Sequence, residues 1–121
     1  MTDYSKMSDF EINLRVAEIV VDYDCISRLP YTDMAVHWGD GANWHVFNPC
    51  NNPEDAWPII TANKISIYAM SENDGRGHWG AEAFYPNESY HFNNNPLRAA
   101  MITFLKMQES KNAKIPSERD S

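Results

Sequence analysis

The sequence is short of positive charge and of cysteine, and it has no long apolar run. Its 10 Lys and Arg stand against 17 Asp and Glu, a formal net charge of −7. Proteins that grip nucleic acid do so largely through phosphate contacts and show a basic field. An acidic chain argues against DNA or RNA as the partner. The balance is uneven: 7 acids and 3 bases in residues 1–33, 7 and 2 in 34–94, and 3 and 5 in 95–121. Only the C-terminal end is locally basic, and a solvated helix face accounts for that. The two cysteines, Cys25 and Cys50, form no CxxC pair. Two free thiols in a reducing compartment are the expected setting. No apolar stretch approaches the ~18 residues of a membrane span. The opening MTDYSKMSDFEINLRV carries acids where a signal peptide has its apolar region. Neither a membrane nor export is expected.

Catalytic spacings are missing too. No HExxH or HxH pattern occurs, and NDGRG (Asn73 to Gly77) has neither the spacing nor the lysine of a phosphate loop. Internal repeats are absent, and the one low-complexity block is Asn93-Asn94-Asn95. Neither a metal nor a cofactor is expected, and an enzyme is the less favoured reading.

What is present suffices for a core. The chain has 121 residues, 43% hydrophobic and 12% aromatic, including 4 Trp and 6 Tyr. That length makes about one domain, which buries roughly two thirds of its unfolded surface. Ser8 followed by Glu11 offers a capping box. With Ile12, Val16, Ile19 and Val20 at helical spacing, it predicts a helix over 8–20. Two aromatic runs, MAVHWGD and NWHVFNP, flank an Asp40-Gly41 turn signal and read as a β-hairpin.

The stretch NPCNNPEDAWPII raises a harder question. A helix from Pro53 would place Pro58 in its interior, at a cost of about 3 kcal/mol. Taking Asp55 as the N-cap puts Pro58 in the first turn, where its missing amide is harmless. This reading ends the helix near Ala62, with Asn63 just beyond. KISIYAM alternates with Ile65, Ile67 and Ala69 on one face; HWGAEAFYP alternates with Trp79, Ala81, Ala83 and Tyr85. Both read as strands, and ESYHF as a further short one. Asn95-Pro96 opens a last helix over 96–109, with Leu97, Ala100, Met101, Phe104 and Leu105 as its apolar stripe. The expected fold is α+β. One mostly antiparallel sheet of about four to five strands packs with three helices, in an α/β/α sandwich-like arrangement. Residues 1–110 form the compact domain and 111–121 a polar, flexible tail.

NNPEDAWPIITANKISI, then NPLRAAMITFLKMQE, with DYSKMSDFEINLRVAE at the start, resembles the NinX-like family of small tailed-phage proteins of unknown function. The resemblance covers most of the chain and is weakest over 22–46 and after 109. A related group of phage domains is described as an α/β/α sandwich. The resemblance implies a phage or prophage protein made in the host bacterial cytoplasm, and it carries no catalytic residues.

The four histidines, His37, His45, His78 and His91, each sit beside an aromatic residue. One reading is a pocket in which rings stack on a planar ligand and imidazoles donate hydrogen bonds. The plainer reading sends each Trp inward and its neighbouring His to solvent, since adjacent strand residues face opposite ways. Cys50 lies near a helix start, which favours a thiolate, but no base accompanies it. Trp57, Trp79, Arg98, Asn52, Asn95 and His78 are the candidate ligand-binding residues. Two helix N-termini preceded by asparagines could hold a phosphate-bearing group. Three functions follow: binding a host or phage protein, binding a nucleotide-like small molecule, or a small histidine-dependent hydrolase. The aromatic content also allows a homodimer.

Overall fold

The computed structural model describes residues 3–21, 26–27, 35–39 and 43–120. Cys25, Pro30 and the Asp40-Gly41 turn signal lie outside the described residues. After a turn of 3-10 helix at Tyr4–Lys6, the order is α1 (Asp9–Val20), β1 (Ile26–Ser27), β2 (Val36–Gly39) and β3 (Trp44–Phe47). Then come α2 (Pro53–Ala62), β4 (Ser66–Ala69), β5 (Trp79–Ala83), β6 (Ser89–Asn93) and α3 (Pro96–Asp120). The fold is α+β.

Ser8 caps α1 as its spacing requires: its Oγ accepts the Glu11 amide at 3.2 Å. Ile12 and Val16 are buried, together with Asn13 and Ala17. Ile19 and Val20, which share the apolar spacing, are exposed instead. Val20 lines a groove at the end of α1, where its side chain meets solvent.

The single sheet of about four to five strands is not what forms. There are two three-stranded antiparallel sheets, β1-β2-β3 and β4-β5-β6. The reason lies in α3. Ala99 to Leu105 are all buried, including Ile102 and Thr103, which fall outside the expected stripe. A helix apolar on every side needs partners on every side. α3 packs against β4, β5 and β6 and also against α1 and α2, while β2 packs on α1. Thr103 Oγ1 donates to Ala81 O at 3.1 Å, tying α3 to the middle strand of the second sheet. Each sheet thus covers a different helix. Periodicity marks the strands but does not say which edges pair.

Two helix boundaries also differ from expectation. Asn52, not Asp55, caps α2: Asn52 Oδ1 accepts the Glu54 amide at 3.0 Å, and Pro53 fills the first helical position. Pro58 therefore does lie inside the helix. Pro58 and Glu54, whose carbonyl it leaves without a helical donor, are both exposed residues of α2. At the other end of the chain, the helix expected over 96–109 continues to Asp120.

Candidate functional site

The N-termini of all three helices meet in one cluster of asparagines. From α1, Asn13 Nδ2 donates to Asn48 Oδ1 at 2.8 Å, and Asn13 Oδ1 accepts the Cys50 amide at 3.1 Å. Asn51 Nδ2 donates to Asp9 Oδ2 at 3.0 Å. At the head of α3, Asn95 Nδ2 donates to Cys50 O at 2.8 Å and to Asn51 Oδ1 at 3.2 Å. Asn95 Oδ1 in turn caps α3 by accepting the Leu97 amide at 2.9 Å. Asp55 closes the turn before α2, its Oδ2 accepting the Asn48 amide at 2.9 Å. A primary amide suits this role because it donates and accepts at once, so each asparagine can bridge two backbones. The peculiar NPCNNPEDAWP stretch is therefore a knot that starts one helix and clamps two others.

Arg98 belongs to the same knot. Its guanidinium donates to Asp9 Oδ1 at 2.7 Å and to the carbonyls of Tyr4 and Met7. Its side chain is only 12% exposed. The positive potential of the gathered helix ends is thus met by Asp9, a carboxylate from the chain itself. Cys50 is fully buried in the same place. Burial, and then the nearby Asp9 charge, push its thiol up to about 12. That is the reverse of an activated nucleophile.

Of the residues singled out from sequence, Asn52, Asn95 and Arg98 lie at these helix starts. His78 and Trp79 lie on the rim of the second sheet. They line a shallow cavity of about 470 Å³ with Ala69, Met70 and Glu72. The His78 amide donates to Asn94 Oδ1 at 3.1 Å, so this cavity abuts the start of α3. Trp57 stands apart on the solvent side of α2, 62% exposed.

The histidines do not follow a simple Trp-in, His-out rule. Trp38 and His45 share a face of the first sheet, with ring centroids 5.4 Å apart. Trp44 and His45 are both exposed. His91 is half-buried against α3. Burial, then the Lys106 charge, then that of Arg98, push its imidazole down to about 4. Among the described residues, no cluster of three or more His, Cys, Asp or Glu is arranged to hold a metal ion.

A feature the sequence did not single out is a larger groove of about 570 Å³. It is lined by Val20 and Val21 at the end of α1, Trp38 and Phe47 of the first sheet, and Glu54, Asp55, Pro58 and Ile59 of α2. Its floor is apolar and two acids stand in its wall. The one sequence signal for it was the proline at 58, which a helix has no reason of its own to hold.

Residues 3–108 match the family model described as Bacteriophage P22, NinX, and the chain belongs to that family. No curated protein matches, and neither does any solved structure. Among the described residues, no helix is long and apolar enough to cross a membrane.

Proposed function

We propose that the protein is a small, non-catalytic phage accessory protein that acts in the host bacterial cytoplasm by binding a host or phage protein. The observation that carries this reading is the groove between α1, the first sheet and α2. It is apolar, open and bordered by exposed Val20 and Trp38. Exposed apolar surface of this kind marks interaction sites in soluble proteins. Pro58 supports it further, since an interior proline weakens α2 yet supplies a rigid apolar wall. The test is cross-linking and capture from phage-infected cells with the wild-type chain and with Trp38→Glu. A single protein held by the wild type and lost with the variant is the expected result. Equal capture by both would overturn the groove as the site.

A second reading is a nucleotide-like ligand, with Trp79 stacking on its base and Asn52, Asn95, His78 and Arg98 beside it. It is favoured by the cavity at His78 and Trp79, which abuts the start of α3. Trp57 is exposed and free to join such a contact only from α2. Native mass spectrometry of protein purified from infected cells decides this reading. A co-purifying compound of a few hundred daltons supports it, and a clean apo mass removes it. The same spectrum reports whether the chain forms a homodimer.

A further inference from the structure

The first sheet ends at β3, and among the described residues no strand pairs with its far edge. Among the described residues, that edge lacks the usual protection. Trp44-His45-Val46-Phe47 contains no proline, no lysine and no acid. Natural edges are normally blunted by such residues, because alternate N–H and C=O groups point outward and template another strand. Here three of the four residues are exposed, with Trp44 at 49% and Val46 at 50%.

The edge and the groove share a face. β2 and β3 pair with Val36 opposite Phe47 and Trp38 opposite His45. Strand pleating puts these four on one side, and Trp44 and Val46 on the other. Phe47 and Trp38 also line the groove. A strand added beside β3 would therefore send every second side chain to the groove face, near Glu54 and Asp55. Its backbone would fill the open edge. Asp55 already accepts two hydrogen bonds inside the protein, from Asn48 and Asn52, whereas Glu54 offers its carboxylate to solvent. The surrounding segment, 34–94, holds 7 acids and 2 bases.

From this geometry and charge we infer that β3 takes up an extended segment of the partner by strand addition, and that this segment alternates apolar with basic residues. The inference rests on the partner-binding reading and names the partner's chemistry and mode of docking. Main-chain hydrogen bonds to the edge give affinity in such complexes, and the alternate side chains give selectivity. On the groove face Lys or Arg meets Glu54 and the acidic field, and on the opposite face the apolar residues meet exposed Trp44 and Val46.

The test uses the intact chain and three synthetic octapeptides. One alternates valine with lysine, one alternates valine with glutamate, and one is the lysine peptide N-methylated at every second amide. Amide exchange and chemical shifts are followed by NMR. The expected result is saturable binding of the lysine peptide, with slowed exchange in Trp44–Phe47. N-methylation removes edge hydrogen bonds and should weaken binding roughly tenfold. The glutamate peptide should bind at least as poorly, and Glu54→Lys should lower affinity for the lysine peptide. Val46→Lys, a change at an exposed position, should blunt the edge.

Lysine-peptide binding that Trp38→Ala abolishes but that leaves β3 exchange unchanged would overturn strand addition while upholding the groove. Concentration-dependent protection of β3 without peptide would assign the edge to a second copy of the chain, overturning the basic partner. No binding of any octapeptide, with a protein partner still captured through Trp38, would overturn the inference but not the reading beneath it.

Discussion

Arg98 and Asp9 lie 89 positions apart in the chain, yet the Arg98 guanidinium sits 2.7 Å from the Asp9 carboxylate and binds the start of α3 to the start of α1. Arg98 also donates to the Tyr4 and Met7 carbonyls, so it closes the N-terminal segment over the core. Asp9 is 45% exposed, so the pair is half-screened and far from the fully buried limit. Arg98→Ala should still cost about 2 kcal/mol, because two carbonyls and a carboxylate lose a charged donor. Urea unfolding checks this. Arg98→Lys should recover part of the loss, since an ammonium can restore the charge but not the fork of contacts.

Asn13 should matter as much without any charge. It is buried, and its side-chain amide satisfies the Cys50 N–H and the Asn48 carbonyl oxygen of the side chain together. Asn13→Ala strands a buried backbone donor and should cost about 2–3 kcal/mol. Asn95→Ala should cost less, as Asn95 is only half-buried and water can replace it at Cys50 O. Equal losses in the two variants, measured by thermal unfolding, would contradict this ordering.

His91 should make stability depend on pH. Its folded-state pKa is pushed down to about 4, chiefly by burial and then by Lys106. The unfolded chain therefore binds a proton at higher pH than the folded one. Stability should be flat on this account above about 6.5 and should fall as pH drops from there towards 4. His91→Gln should flatten that part of the curve. The same slope in wild type and variant would assign the effect to other groups.

Pro58→Ala should stabilise the protein. The proline occupies the sixth position of α2 and denies the Glu54 carbonyl its helical hydrogen bond. Restoring an ordinary helix former should gain about 1–3 kcal/mol. If partner capture falls while the melting temperature rises, Pro58 is kept for the groove and not for the fold.

Much of the local structure was legible in the sequence. Ser8 and Glu11 announced the start of α1, Asn95-Pro96 that of α3, and alternation announced β4 and β5, because caps and side-chain periods depend on near neighbours alone. Membership of a phage family was legible in the stretches NNPEDAWPII and NPLRAAM, which hold Asn51, Asn52, Asp55, Asn95 and Arg98 of the knot. The cap of α2 was misread because an interior proline looks too costly. Its cost is met by the exposed face of a helix held at its head by Asn48, Asn52 and Asp55.

What the tertiary structure alone decided is where these pieces meet. No spacing shows that Asn13, Asn51 and Asn95 share one cluster, that Arg98 answers Asp9, or that Val20 and Pro58 line one groove. Nor does alternation reveal that the strands split into two sheets. That division follows from α3, whose burial on every side draws one sheet and two helices around it and, among the described residues, leaves β3 with an open edge. Near-neighbour chemistry fixed the elements; long-range burial fixed which surfaces were left over for a partner.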